Sequence, residues 1–185
     1  MDEVGVIHGR FQVLHNDHMK YLLAGKARCD YLIIGITNPD ASLTRFNNAD
    51  PNRSEQAYNP LTYYERFEMI KGSMLEVGIR REEFDIVPFP INYPELALNY
   101  VPLGAKFFLT IYDEWGLEKK RILENLGCTV DVMWRKPLEE KEISASEVRR
   151  RMVEGLPWRH LVPLYVADYV EQKGIIERIK YLCKN

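Results

Sequence analysis

Five short apolar runs, each followed by a stretch of different periodicity, constrain this chain more than any other feature. Residues 4–7, 31–36, 84–87, 106–112 and 129–133 are rich in Val, Ile, Leu and Phe and read as strands. They lack the polar–apolar alternation of a strand with one wet face, so both faces are expected to be covered. Between them the period changes. Met19, Leu22, Leu23 and Ala27 recur at helical spacing in residues 18–28. Thr62-Tyr-Tyr-Glu65 has the capping-box pattern and opens a helix reaching about Val77, with Phe67, Ile70, Met74 and Leu75 on its apolar face. Residues 115–126 form another, stopped by Gly127. Buried strands joined by helical crossovers predict an α/β fold, a parallel five-stranded sheet with helices on both faces. Phe107, Phe108, Leu109 and Trp115 are expected in its core.

Toward the C-terminus, Ser144-Ala-Ser-Glu147 repeats the capping-box pattern and starts a helix to about Glu154, with Gly155 as its stop. Pro163 suits a helix start and Gly174 divides two short helices, giving a helical segment over residues 156–185. At 185 residues the chain is long enough for one domain with a substantial core. Its 25 Lys and Arg against 27 Asp and Glu give a net charge of −2, so no whole-molecule attraction to nucleic acid or anionic membrane is expected. A polyanion must be held by a local site. Three cysteines with no CxxC pair exclude zinc-ribbon and thioredoxin-like readings and fit a reducing compartment. The first residues lack a basic region before an apolar stretch, and no run approaches about 20 apolar residues. A cytoplasmic location is expected.

In a parallel sheet, ligands sit beyond the carboxyl ends of the strands where strand order switches. The loop after the first strand reads Gly9-Arg-Phe-Gln-Val-Leu-His15-Asn-Asp-His18. Gly9 lets the backbone approach a ligand closely. His15 and His18 flank a helix start, where free N–H groups and the positive dipole end favour phosphate. Two histidines three apart more often cap a helix than bind a ligand, so this loop does not stand alone. A second cluster, Ser144, Ser146 and Arg149, gathers hydroxyls, orphan N–H groups and a guanidinium at another helix start. Three consecutive arginines, Arg149, Arg150 and Arg151, cannot share one helix face, so at most two reach a single ligand.

Together the clusters resemble the nucleotidylyltransferase superfamily marked by an HxGH motif after the first strand and an ISxTxxR-type motif near the C-terminus. Within it the chain is most similar to archaeal-type nicotinamide-mononucleotide adenylyltransferases. The likeness covers residues 9–18, residues 143–152 and Asn59-Pro-Leu-Thr-Tyr-Tyr-Glu-Arg-Phe-Glu-Met-Ile70, which resembles the segment opening that family's second helix. It implies a Rossmann-like sheet and a direct, Mg²⁺-assisted transfer. A nucleotide's phosphate attacks the α-phosphorus of a nucleoside triphosphate, most readily ATP, and pyrophosphate leaves. The resemblance assigns the triphosphate and transition state to His15 and His18, backbone contacts to Gly9 and Phe11, phosphate neutralisation to Arg10, and the departing pyrophosphate to Ser144, Ser146 and Arg149. It also implies a symmetric homo-oligomer. Nucleotides are the expected partners, with neither nucleic acid nor membrane among them.

The chain departs from the pattern in three places. Asp17 stands where HxGH has its Gly; it either points away, touches Mg²⁺ or a substrate hydroxyl, or impairs activity. Val13 replaces a Pro. The connection over residues 38–60, with Asn38, Asp40, Arg45, Asn47, Asn48, Asp50 and Arg53, is long and would border the acceptor. Asn38, Asn92, Tyr93 and Trp134 are possible acceptor contacts. Asp113-Glu114 reads as a solvated pair, and His8 and His160 receive no role. A cytidylyltransferase using another phosphorylated acceptor is the neighbouring reading. A nucleotide-binding module without catalysis is a reading of another class, favoured by Asp17 and opposed by His15, His18 and Arg149.

Overall fold

The computed structural model describes residues 2–40, 59–135 and 143–183. Five strands, β1 (Asp2–Gly9), β2 (Cys29–Ile36), β3 (Phe84–Pro88), β4 (Lys106–Ile111) and β5 (Thr129–Arg135), form one parallel sheet in the order β3-β2-β1-β4-β5. The first three strands build outward from β1 to one edge. The chain then crosses back and lays β4 on the other side of β1. The strand order therefore switches between β1 and β4, and a crevice opens at their carboxyl ends.

Neighbouring residues of β1 explain the two covered faces. Ile7 enters an apolar layer with Leu22, Ile34, Met69, Phe84 and Phe108. Val6 enters the opposite layer with Phe89, Phe107, Leu109, Trp115 and Leu123. Helices α1 (Asn16–Lys26) and α2 (Tyr63–Glu76) cover the first face, and the short α3 (Pro94–Ala97) and α4 (Glu114–Asn125) the second. Each such Ile or Phe, fully buried, contributes about 1.5–3 kcal/mol relative to exposure. The C-terminal helices α5 (Ala145–Glu154), α6 (Leu164–Gln172) and α7 (Ile175–Leu182) join the first layer through Val148, Met152, Val166, Val170, Ile175 and Ile179. An ion pair from Arg178 to Glu65 (2.6 Å) ties α7 to the start of α2.

The capping expectations split. Thr62 and Glu65 form the full box, Glu65 N–H donating to Thr62 Oγ (3.2 Å) and Thr62 N–H to Glu65 Oε2 (2.8 Å). At α5 half of it forms: Ser144 Oγ accepts from Glu147 N–H (3.1 Å), while the Glu147 carboxylate turns to Arg150 and Arg151, both at 2.8 Å. Two guanidiniums outcompete a single backbone N–H for it. Helix α1 begins two residues earlier than its apolar spacing suggests, because the imidazoles of His15 and His18 cap it reciprocally. Gly127 sits just past α4 at φ 79°.

Candidate active site

The crevice holds a cavity of about 240 Å³ lined from both halves of the sheet. The residues after β1 form its floor. Gly9 leaves room for the Phe11 ring: a Cβ at position 9 would lie 2.9 Å from Phe11 Cζ. Phe11 is buried and meets the His18 ring edge-on at 5.1 Å. His15 and His18 stack at 3.6 Å. His18 N–H donates to His15 Nδ1 and His15 N–H to His18 Nδ1, each at 3.4 Å. A nitrogen that accepts cannot carry the ring hydrogen, so both imidazoles carry it on Nε2. The sequence-derived histidine pair is thus a reciprocal helix cap that lines one wall of the cavity.

The second motif comes to the same place. Ser144, Ala145 and Ser146 line the cavity at the N-terminus of α5. Arg149, 6% exposed, donates to the carbonyl of Gln12 and to Ser146 Oγ (3.2 Å). Arg150 and Arg151 lie on the outer face with Glu147, as the helical period requires. Asp17 supplies a further link, its Oδ2 accepting from Ile143 N–H (2.9 Å) across 126 residues, while Oδ1 lies 3.0 Å from Lys20 Nζ. Burial pushes the Asp17 carboxyl up, but the bonds from Lys20 and Ile143 outweigh it and hold the group below the ordinary carboxylate range. The geometry adds a role to the three outcomes expected for the acid in place of glycine: it staples the turn after β1 to the start of α5.

Arg66 organises the crevice from beneath, and residue spacing gives no hint of it. It is 1% exposed and donates to four backbone carbonyls: Thr62 (3.2 Å), Arg10 (3.0 Å), Thr37 (2.7 Å) and Asn38 (2.8 Å). Burial, and then the Arg10 charge, lower it to about 10, so it stays charged at neutral pH. Gln12 completes this frame, its amide bonding both backbone groups of Leu61 (2.9 and 3.1 Å). The ends of β1 and β2 and the start of α2 are therefore locked around one guanidinium.

Arg10, Asn38 and Asn92 line the cavity, and Asn92 Nδ2 donates to Asn38 Oδ1 (3.3 Å). Asn38 adopts φ 48°, a left-handed conformation that Asn tolerates well. Arg149, Tyr93 and Trp134 are not among its lining residues; Arg149 is turned to Gln12 and Ser146, Tyr93 precedes α3 and Trp134 pairs with Thr110 in the sheet. Asp113 is no solvated pair with Glu114: its Oδ1 caps α4 through Gly116 N–H (2.8 Å), and it lines the cavity. Trp115 is buried as expected and also reaches the cavity wall. Arg45, Asn47, Asn48, Asp50 and Arg53 lie outside the described residues. His160 contributes its carbonyl to Asn16 Nδ2 (3.0 Å). His8, Tyr21, Thr110, Tyr112 and Lys119 line the cavity without having been expected there. The signal for His8 is a polar residue directly after the apolar run Val4–Ile7 of β1.

Among the described residues, no group of three His, Cys, Asp or Glu side chains is placed to hold a metal ion, and no helix is long and apolar enough to cross a membrane.

Known proteins resemble this chain along nearly its whole length. The phosphonoformate cytidylyltransferase of Streptomyces viridochromogenes is 48% identical over 176 residues, 95% of each chain. The nicotinamide-nucleotide adenylyltransferase of Thermococcus kodakarensis is 34% identical over 183 residues, 98% of this chain and 89% of the relative. Among solved structures, a bifunctional NMN adenylyltransferase/ADP ribose pyrophosphatase from Francisella tularensis superposes with a TM-score of 0.68 at 14% identity, over 98% of this chain and 53% of that one. The chain thus spans about half the length of that solved protein, and at this identity the likeness concerns the fold. The model of the cytidylyltransferase-like family matches residues 6–151, so the chain belongs to the cytidylyltransferase-like family of nucleotidylyltransferases.

Proposed function

We propose that the chain transfers a cytidylyl group from CTP to a small phosphonate-bearing acceptor of the phosphonoformate type, releasing pyrophosphate. This reverses the order expected from the motifs, in which ATP and nicotinamide mononucleotide came first. The relative at 48% identity is a cytidylyltransferase, whereas the nicotinamide-nucleotide adenylyltransferases stand at 30–34%.

The single observation carrying the transfer is the meeting of two helix N-termini at one cavity, stapled by Asp17 to Ile143 and by Arg149 to Gln12. In this reading the triphosphate lies between them. Nε2–H of His15 and His18 face its α- and β-phosphates, and Ser144, Ser146 and the first N–H groups of α5 take the β- and γ-phosphates. An oxygen of the acceptor's phosphonate, already deprotonated, forms the new bond to the α-phosphorus. The bond from that phosphorus to the bridging oxygen breaks, and both electrons leave with pyrophosphate. The chain's part is alignment and charge stabilisation; one such donor in a dry site is worth roughly 10²–10³ in rate. Mg²⁺ would neutralise phosphate charge and enter with the triphosphate, which asks little of protein ligands. That suits a site in which both Asp17 oxygens are engaged by Ile143 and Lys20.

The test is pyrophosphate release measured for CTP, ATP, GTP and UTP against phosphonoformate, nicotinamide mononucleotide and nicotinate mononucleotide. CTP with phosphonoformate is expected to be the fastest pair. Faster turnover of ATP with either mononucleotide restores the adenylyl reading. No turnover in any pair overturns both in favour of a binding module.

A further inference from the structure

At the carboxyl end of β1 the fold buries a histidine that it does not use. His8 is 3% exposed, and among the described residues neither ring nitrogen has a hydrogen-bond partner. Buried polar groups are nearly always paired, so an orphan of this kind asks for an explanation. Val6, two residues earlier on the same face, shows that an apolar β-branched residue satisfies the packing there.

The surroundings form a niche. Gly35 is the register partner of His8 on β2, and a Cβ there would lie 2.7 Å from Phe89 Cβ and 3.2 Å from His8 Cβ. Only the bare glycine leaves room for both rings. Phe89 lies 5.1 Å from the imidazole, tilted by 32°. Lys119 of α4 lines the same cavity, as do Ile91 and Asn92. Burial, and then the Lys119 charge, hold the His8 ring well below the ordinary imidazole range, so it is neutral. A neutral imidazole offers one N–H donor, and an ammonium offers donors alone. A carboxylate accepts from both the imidazole N–H and the ammonium, while the ring's second nitrogen, an acceptor, takes a separate donor.

We infer that His8 and Lys119 form a subsite for the second anionic group of the acceptor, the carboxylate that a phosphonoformate-like molecule carries beside its attacking phosphonate. The inference rests on the acceptor reading above and adds the residues that select it. Phosphonate on its own satisfies the chemistry of transfer; the carboxylate supplies an acceptor for the orphaned ring N–H.

The experiment compares phosphonoformate with methylphosphonate, which lacks the carboxylate, in the wild type and in the His8→Val, His8→Asn and Lys119→Met variants. The wild type is expected to prefer phosphonoformate in kcat/KM by at least tenfold. His8→Val and Lys119→Met are expected to raise KM for phosphonoformate about tenfold while leaving KM for CTP and for methylphosphonate unchanged. His8→Asn, which keeps a donor, recovers part of the preference. Lys119→Met changes no buried strand position, so it reports even where a strand variant folds poorly. A wild type that turns over phosphonoformate while both His8→Val and Lys119→Met keep its KM overturns the subsite and leaves the function standing. A shift in KM for CTP instead assigns the niche to the base and overturns the subsite as well. A wild type that releases no pyrophosphate with any phosphonate overturns the function, and the subsite falls with it.

Discussion

His15 and His18 each serve two demands with one ring. Nδ1 satisfies a backbone N–H at the start of α1, which puts the ring hydrogen on Nε2, and both residues line the cavity. Replacing His18 by Ala is expected to lower kcat roughly 10²–10³-fold, with His18→Gln, which keeps a side-chain donor, falling less; steady-state pyrophosphate release separates the two. In the proposed transfer Asp17 acts at one remove from the reacting atoms, as a positioning residue. Its carboxylate accepts from Ile143 N–H at 2.9 Å, a hydrogen bond to a charged group worth about 1.5–3 kcal/mol. Asp17→Gly restores the motif glycine but cuts this staple, so KM for CTP is expected to rise about tenfold, the equivalent of about 1.4 kcal/mol. Asp17→Asn keeps an acceptor for Ile143 and is expected to stay near wild type in KM. A glycine variant that outperforms the wild type contradicts the stapling role.

At the level of elements, the alternation of strand and helix was legible because periodicity is carried by side chains, and the covered sheet demands apolar runs at 31–36 and 106–111. The Thr62–Glu65 box and the stop at Gly127 were legible for the same reason, since each needs a particular side chain or its lack. What the sequence conceals are bonds to backbone. Arg66 meets carbonyls alone, Asp17 meets the N–H of Ile143, and Arg149 meets the carbonyl of Gln12. Every residue type but proline carries both groups, so no spacing reveals them. Arg66→Met would leave several buried carbonyls without donors, each costing about 1–3 kcal/mol. A loss of about 3 kcal/mol corresponds to a fall of about 6–12 °C in melting temperature for a domain of this size. Thermal unfolding followed by circular dichroism checks this, and an unchanged midpoint contradicts the framing role of Arg66.

Across the whole molecule, acid should weaken the fold in two stages. The unfolded His8 imidazole binds a proton near 6.5, whereas the folded ring is held neutral well below that. Falling pH therefore favours the unfolded chain from 6.5 downward, by at most about 1.4 kcal/mol per pH unit. Glu83, held by Arg80, and Glu147, held by Arg150 and Arg151, are lowered from 4.5 to about 2. What they contribute is complete above 4.5 and lost as pH drops toward 2. In His8→Val the decline between pH 6.5 and 5 is expected to become shallower while the lower stage remains, as melting temperatures measured across pH would reveal.

The central claim concerns two segments 126 residues apart that close on one triphosphate. A crystal structure with a non-hydrolysable CTP analogue measures it most directly. Phosphate oxygens within hydrogen-bond distance of His18 Nε2 and of the α5 N-terminus, in one continuous density, are the expected result. Phosphates that engage one of these helix ends while the other faces only solvent contradict it.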